Sequence, residues 1–403
     1  MYDLRKRIIF LSEYFYPSQN STAYYISKIA SAVAMNSKEP VHVYCATPGE
    51  ESDPPPFFCE NLIIHRVDNG KGNKNNLFSR ILKFIRISLK FCFAILFNAR
   101  SNDILFSVTN PAFIIPICSV LRGIFHYKYI LLAYDVFPEN LVAAGLMKES
   151  RITYKIVKRI FDWSYSKADI VISIGRDMSE TLMKKGIPEN HIVLIQNWAD
   201  AETIKYSSKM DNPIIKHYQL ENKKVFMFAG NFGRVQGIPE LLEVIDRVSA
   251  ENAAFLFVGD GAMRGVIEDY QKAHPHRAVF CHPYLPMAKQ NIFLNACDIA
   301  IVTLNEKMLG LGVPSKSYYS LASGHPIFFI GDQRSEVAQL IQEGHCGWQS
   351  SFDRIDDCVH LINKICSLPL SETEEKGNRA RNFLQRNYSE SIMLDKYVKL
   401  FRA

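Results

Sequence analysis

The feature that most constrains the fold is a regular alternation of short apolar runs with longer amphipathic stretches. The short runs predict buried strands, and the stretches between them predict helices. An alternation of this kind is typical of a parallel sheet covered by helices on both faces. In the first half of the chain, strands are predicted at 7–11, 41–45, 62–67, 103–108, 129–133, 170–174 and 192–196.

The same alternation begins again after a polar stretch at 200–224. Strands are then predicted at 225–229, 254–258, 278–281, 299–303 and 326–330. Roughly two domains suit a chain of 403 residues. We therefore predict two doubly wound α/β domains, 1–200 and 201–370, and C-terminal helices at 371–403 that pack back on the first domain. Ligands of such sheets bind beyond the carboxyl ends of the strands, so we expect the site in a cleft between two facing domains.

Composition narrows the functional classes. Hydrophobic residues make up 48% of the chain, which excludes a largely disordered protein. The net charge of +6 favours an anionic ligand or surface over nucleic acid. Nine cysteines without a C-x-x-C pair fit reduced thiols, and the apolar run 8–11 is too short for a signal peptide. We expect a cytoplasmic protein.

Several catalytic motifs are missing. The exit of the first strand, 12–23, has no G-x-G-x-x-G fingerprint, which argues against a nicotinamide enzyme; Ser21 or Thr22 is instead expected to cap the next helix. There is no D-x-D, H-E-x-x-H or Cys/His cluster, and no G-x-S-x-G elbow. We expect neither a metal ion nor a cofactor.

Two glycine-rich loops of the second half are candidates for binding phosphate. The loop 230–237 leaves a strand, precedes a helix and contains Arg234, a forked donor suited to phosphate. The loop 309–316 also precedes a helix and ends with Ser315 and Lys316. We expect it to supply a second cradle on the same domain. The alternatives are a plain turn with a surface arginine, and an ordinary solvated lysine.

A short aromatic loop of the first half carries two acids. Asp135 and Glu139 follow a predicted strand and could serve proton transfer or hold sugar hydroxyl groups. The alternative is that one of them caps a helix beginning near Asn140.

A basic segment lies between Gly70 and Asn102, with seven Lys or Arg residues and no acid: Lys71, Lys74, Arg80, Lys83, Arg86, Lys90 and Arg100. From Leu77 to Phe97 the basic residues share one arc of a predicted helix, interrupted by Ile87, and apolar residues fill the remainder. Four charges in this stretch argue against a transmembrane helix. We predict an amphipathic helix on the anionic inner leaflet; the alternative is a domain helix with a solvated basic face.

Taken together, the loops resemble glycosyltransferase family four, which has the GT-B fold. The segments that carry the resemblance are FYPSQNSTA, YDVFPENLVAAG, IQNWAD, FAGNFGRVQGI, FVGDGAMR and GVPSKSYYSLASGHP. They are most similar to the bacterial branch that builds surface polysaccharides such as O-antigen and capsule, including fucosaminyl-type transferases.

The resemblance implies a retaining, metal-independent transferase. The C-terminal domain would bind a UDP-linked sugar, and the N-terminal domain a lipid-linked saccharide. Many family members have an arginine and a lysine where this chain has Asn231 and Gln236, and two glutamates where it has Leu311 and Tyr319. Lys316 is the expected replacement cation for the diphosphate.

These expectations assign the site residues as follows. Asp135, Arg234 and Lys316 are predicted to be catalytic. The acceptor is expected to contact Tyr16, Asn20, Ser21 and Glu139. The nucleotide-sugar is expected to contact Gly230, Asn231, Phe232, Gly233, Gln236, Pro283, Tyr284, Pro314, Ser315 and Tyr319. Two alternatives stay open: a GT-B-type sugar-nucleotide epimerase, and a non-catalytic sugar-nucleotide-binding subunit.

Overall fold

A computed structural model describes residues 6–48, 55, 57–70 and 77–402, without the side chains of 77–81. The chain forms two compact units. Unit 1 comprises residues up to Gln196, together with Gly310–Gly312 and Met393–Ala403; unit 2 comprises Asn197–Leu309 and Val313–Ile392. The division therefore falls after Gln196, close to the predicted boundary at 200. Of the C-terminal helical segment predicted to pack on the first domain, the part from Met393 belongs to unit 1 and the larger part before it to unit 2.

Unit 1 contains a parallel sheet of seven strands in the order β3-β2-β1-β4-β5-β6-β7. The strands are β1 (Ile8–Ser12), β2 (Val41–Ala46), β3 (Leu62–Val67), β4 (Ile104–Val108), β5 (Lys128–Ala133), β6 (Ile170–Ser173) and β7 (Ile192–Leu194). Its helices are α1 (Ser21–Met35), α2 (Leu77–Asn98), α3 (Ile114–Phe125), α4 (Glu139–Ala143), α5 (Ile152–Ser166) and α6 (Arg176–Lys184).

Unit 2 contains a second parallel sheet, of six strands in the order β10-β9-β8-β11-β12-β13. The strands are β8 (Lys224–Asn231), β9 (Ala253–Asp260), β10 (Val279–His282), β11 (Ile299–Thr303), β12 (Ile327–Ile330) and β13 (Gly347–Ser350). Its helices are α7 (Pro213–Tyr218), α8 (Ile238–Arg247), α9 (Arg264–Ala273), α10 (Gln290–Leu294), α11 (Lys316–Ser323), α12 (Glu336–Gly344), α13 (Ile355–Ser367) and α14 (Leu370–Asn387).

The last helix, α15 (Glu390–Arg402), returns the chain to unit 1. Its Phe401 ring stacks 5.6 Å from Phe10 of β1, and also lies 5.6 Å from Phe106 of β4. Central strands such as β1 and β4 are buried along their whole length, as strands covered on both faces must be. The predicted fold of two doubly wound parallel sheets is confirmed.

Candidate active site

The first candidate region lies at the carboxyl ends of the strands of unit 2. All strand pairs in this sheet are parallel, so the exits of β8, β9, β10 and β11 meet at one edge. The predicted nucleotide-sugar residues occupy this edge or the start of α11. Pro283 and the half-exposed Tyr284 follow β10, while Tyr319 lies in the first turns of α11.

Glycines allow the exits of β8 and β9 to approach each other. Gly259 has a φ of 153°, and a Cβ atom built on it would lie 1.9 Å from the carbonyl oxygen of Gly230. A side chain at Gly261 would lie 2.6 Å from Oδ1 of Asn231. Any other residue at these positions would push the two loops apart.

The loop after β8 is anchored by Phe232, which is buried in the hydrophobic core. Its N–H donates to the carbonyl of Asp260 over 2.8 Å, and its own carbonyl accepts from Met263 over 3.0 Å. Residues Arg234–Gln236 then form a short 3-10 turn. The Phe232 side chain therefore fixes the loop, while Arg234 extends into solvent with no ion pair to any residue that the structure describes.

Lys316 begins α11 and lies over the exit of β8. Its Nζ atom is 3.5 Å from the ring centroid of Phe228 and 3.1 Å from Oε1 of Gln236. Burial lowers the pKa of Lys316 to about 7. Within the described ranges it has no acidic partner, and an enclosed cation without a counter-charge is costly. The structure thus brings Lys316, Gln236 and Gly230 together at a place suited to an anion.

The segment before α11 corrects one expectation. Gly310–Gly312 belongs to unit 1, where the N–H of Gly310 donates to Oδ2 of Asp177 over 3.0 Å. Leu311, which occupies a glutamate position of the family, is buried, and its carbonyl accepts from Val136. The prediction that the whole loop forms a cradle on the second domain is therefore wrong. Leu309 before Gly310–Gly312, and residues 313–316 after it, belong to unit 2.

The second candidate region lies at the carboxyl end of β5 in unit 1. The backbone N–H groups of Tyr134 and Asp135 both donate to Oγ1 of Thr109 over 3.2 Å. Burial raises the pKa of Asp135 to about 6. The cap residue of α4 is Pro138, with no side-chain hydrogen bond. The alternative that Asp135 or Glu139 caps this helix is therefore wrong.

Glu139 is held by lysines. Its carboxylate accepts from Lys158 over 2.5 Å and from Lys185 over 2.8 Å. The side chain of Lys185 is only 2% exposed, and Asp162 also contacts both lysines. These ion pairs tie α4 to α5 and α6, so Glu139 has a structural role beside the contact with acceptor predicted for it.

The loop after β1 holds the other predicted acceptor residues. Asn20, not Ser21 or Thr22, caps α1, because its Oδ1 accepts from the N–H of Ala23 over 2.9 Å. The N–H of Tyr16 donates to Oγ of Ser27 over 3.0 Å. Ser21 is the first residue of the helix. Their contact with an acceptor stays a prediction.

Sequence reasoning missed one acid in this loop. Glu13 directly follows β1, is 1% exposed and lies 2.9 Å from Nζ of Lys83 on α2. A carboxylate two residues after the apolar run 8–11 was the signal available in the sequence, because an acid at the end of a buried strand requires a partner.

Helix α2 lies where an amphipathic helix was predicted, and three of its basic residues form ion pairs. Besides Lys83, Arg86 and Lys90 pair with Asp68 at 3.2 and 3.7 Å. Ile87, which interrupts the basic arc, is fully buried. Three basic residues of the arc are therefore paired within unit 1, although the Arg86 side chain stays 54% exposed. Contact of this helix with an anionic membrane stays a prediction. Lys71, Lys74 and the side chain of Arg80 lie outside the described residues.

Neither a metal-binding cluster nor a membrane-spanning helix is found in the part of the chain that the structure describes. No group of three or more His, Cys, Asp or Glu side chains there is arranged to hold a metal ion. No helix in those ranges combines the length and apolar character needed to cross a membrane.

Solved structures show which fold the chain has. An Anabaena protein, HepE, solved with UDP and glucose, matches with a TM-score of 0.72 at 11% identity, over 98% of this chain and 99% of that chain. WaaG, a glycosyltransferase involved in lipopolysaccharide biosynthesis, matches with a TM-score of 0.69 at 13% identity and the same coverage. The predicted GT-B fold is confirmed.

Sequence comparison then gives the family. The model described as "Glycosyl transferases group 1" matches residues 211–383. The probable glycosyltransferase WbjE of Pseudomonas aeruginosa is 38% identical over 397 residues, 98% of either chain. The chain belongs to the group 1 glycosyltransferases, and the protein is a transferase enzyme.

Proposed function

We propose that the protein transfers a sugar from a UDP-linked donor to a lipid-linked saccharide during assembly of a bacterial surface polysaccharide. The similarity to WbjE supports the reaction, HepE in complex with UDP supports the donor, and WaaG, involved in lipopolysaccharide biosynthesis, supports the pathway class. The proposed sugar is an N-acetylated deoxyhexosamine of the fucosamine type. The proposed location is the inner face of the cell membrane, as a peripheral protein.

The observation that carries the proposal is the cation at the β8 exit. Lys316 is enclosed, lacks an acidic partner among the described residues and lies beside the glycine-rich loop. Negative charge grows on the diphosphate as it leaves the sugar. Donors that are already in place lower the barrier, because they need no reorganisation when that charge appears. We assign this role to Lys316, Arg234 and the backbone N–H groups near Gly233 and Ser315.

The transfer is proposed to retain the configuration of the sugar. The bond between the anomeric carbon and the diphosphate breaks while the acceptor oxygen bonds to the same face. The acceptor proton passes to a diphosphate oxygen, so no strong base is needed. In unit 1, Asp135 is assigned to orient hydroxyl groups. The lysine and arginine supply positive charge directly, and the proposal requires no metal ion or cofactor.

Roles of the remaining residues follow their positions. Gln236 holds the ammonium group of Lys316 and acts as a positioning residue. The nucleotide is proposed to lie against residues at the carboxyl edge of unit 2 and at the start of α11: Gly230, Asn231, Gly233, Pro283, Tyr284, Pro314 and Tyr319. The acceptor is proposed to lie against Tyr16, Asn20, Ser21 and Glu139 of unit 1.

The test begins with the donor. Thermal shifts with UDP-, GDP- and dTDP-sugars select the base and sugar, and turnover of the selected donor is then measured with and without a lipid-linked acceptor. We expect consumption to depend on the acceptor. Consumption without acceptor, giving an isomerised sugar nucleotide, would identify an epimerase instead. Binding without any consumption would identify a non-catalytic subunit.

Arg234→Ala tests the mechanism. Removal of one such donor typically costs about 3 kcal/mol, so turnover should fall about a hundredfold with unchanged folding. The matched control is Arg379→Ala, an exposed arginine of unit 2 that pairs with Glu375. Full turnover of Arg234→Ala would remove Arg234 from the mechanism.

A further inference from the structure

Three neighbouring helices of unit 1 expose large apolar side chains. Helix α3 packs against α2 and against α5. Right-handed crossovers place all three on one side of the sheet. Together they form what we call the α2–α3–α5 face, and its exposed members are Leu82, Ile85, Leu89, Phe93, Leu96, Phe97, Val120, Ile124, Ile152, Ile156, Ile160 and Trp163.

The exposed residues form stripes. On α5, Ile152, Ile156 and Ile160 recur every four residues and are 73%, 56% and 46% exposed. On α2, Leu89 and Phe93 have the same spacing and are 51% and 56% exposed. Scattered apolar residues are normal on a protein surface, but neighbouring stripes on adjacent helices indicate an interaction surface.

Cations border the apolar stripe of α5. An open depression of about 500 Å³ is lined by Lys155, Lys158, Arg159, Asp162, Trp163, Ser166 and Lys185. Lys158 and Lys185 are neutralised by Glu139 and Asp162. Lys155 and Arg159, by contrast, have no ion pair with any residue in the described ranges, which leaves them able to bind an anion.

We propose that the α2–α3–α5 face binds a lipid bilayer that contains anionic lipids. The apolar stripes would enter the boundary between head groups and acyl chains, and Lys155 and Arg159 would bind lipid phosphate groups. Exposed Trp163, whose ring lies 5.9 Å from Nζ of Lys167, has the amphipathic character of a residue at a membrane interface. The charge favours this occupant over a second copy, since pairing two such faces would bring their cationic borders together.

This inference rests on the proposed function in one respect: a lipid-linked acceptor explains why the protein would bind a membrane. The experiment therefore measures membrane binding apart from catalysis. Full-length protein is sedimented with vesicles of phosphatidylcholine, with and without phosphatidylglycerol. UDP binding and transfer to a water-soluble acceptor are measured in parallel, so that failure of either proposal is seen independently.

Two surface variants test the apolar stripes. Leu89→Ser/Phe93→Ser and Ile156→Ser/Ile160→Ser should each lower vesicle partitioning at least about tenfold, because two apolar side chains no longer leave water. The matched controls are Met35→Ser, 57% exposed on α1, and Val266→Ser, 39% exposed in unit 2, and neither should change partitioning.

A third variant tests the head-group contact. Lys155→Ser/Arg159→Ser should lower binding to vesicles with phosphatidylglycerol about thirtyfold and leave binding to phosphatidylcholine alone unchanged. Equal partitioning of the unsubstituted protein and all three variants would overturn the proposal. Self-association of the unsubstituted protein that the α2 or α5 variant abolishes, without vesicle binding, would overturn it in favour of an interface between copies.

Discussion

The strand exits of the two units differ in how their charges are satisfied. In unit 1, Glu13 is paired with Lys83, and Glu139 with Lys158 and Lys185, while Asp135 after β5 is an exception with no ion pair to a described residue. In unit 2, Lys316 has no acidic partner among the residues that the structure describes, although it is enclosed. A paired charge is part of the scaffold. An enclosed charge without a counter-ion costs stability, and it is explained when a ligand supplies the missing charge.

The largest effect expected from this difference is that of Lys316→Met. Turnover should fall by a factor of about 10²–10³, because one preorganised cation at the departing diphosphate is lost. The same substitution should raise the melting temperature. The lowered pKa of Lys316 means that the folded state binds the proton less tightly than the unfolded chain.

The effect of Lys316 on stability depends on pH. Its destabilising effect is fully present below pH about 7 and fades as the pH rises toward the ordinary value for lysine. The gain from Lys316→Met, followed by thermal unfolding, should therefore be largest below pH about 7. The control Lys272→Met replaces an exposed lysine of the same unit and should change neither property. If Lys316→Met keeps full turnover, the unpaired lysine of unit 2 has no part in the reaction, and the contrast with the paired charges of unit 1 has no functional meaning.

Gly259→Ala tests whether the close approach of the β8 and β9 exits is required. Its Cβ atom would lie 1.9 Å from the Gly230 carbonyl, so we expect a loss of about 3 kcal/mol in the free energy of unfolding and weaker UDP binding. In the control Gly265→Ala, on α9, the new Cβ atom would meet nothing within 4 Å. That variant should be slightly more stable, because alanine favours a helix. Urea unfolding of both variants measures the difference, and equal stability would show that the exits tolerate separation.

The sequence was sufficient for twelve of the thirteen strands that the structure describes, and the reason is local. It missed β13, whose residues Gly347–Ser350 are not an apolar run. Strands such as Ile8–Ser12 and Ile299–Thr303 are buried on both faces, so their residues are mostly apolar without interruption. Such a run can be recognised without knowledge of the neighbouring elements. Lys316 was identified from the glycines and proline just before it. Helix starts were less well predicted, because Asn20 and Ser21 are equally good caps by residue type.

Ion pairs between residues that are distant in the chain could not be predicted from the sequence. Nothing near Glu139 in the chain indicates that Lys185 will reach it, and nothing near Lys83 indicates Glu13. For the same reason the basic arc of α2 was assigned to a membrane surface, with solvent as the alternative, and its ion pairs with Asp68 were not foreseen. Charge patterning on one helix cannot distinguish a solvated face from one that meets acids on another element.

Glu139→Gln tests whether the paired acid of unit 1 stabilises the fold. It leaves Lys185, which is 2% exposed, with Asp162 as its remaining partner among the described acids, at 2.5 Å. We expect a loss of about 2 kcal/mol in urea unfolding, because a buried cation is left partly uncompensated. The control Glu375→Gln removes an exposed pair with Arg379 and should cost less than about 0.5 kcal/mol. Unchanged stability together with lost turnover would instead make Glu139 a substrate contact.

Asp135→Asn addresses the acid at the exit of β5, which has no ion pair among the described residues. Burial raises the pKa of Asp135 to about 6, so the folded state holds a proton that the unfolded chain releases at lower pH. The resulting destabilisation is absent below the ordinary range of an aspartate, grows as the pH rises to about 6 and is constant above it. Asp135→Asn should therefore raise stability by about 1 kcal/mol at neutral pH and leave it unchanged in acid, as measured by thermal unfolding across pH. If Asp135 orients substrate hydroxyl groups, the same variant loses turnover at every pH. A variant that gains stability and keeps full turnover would show that Asp135 has no part in the reaction.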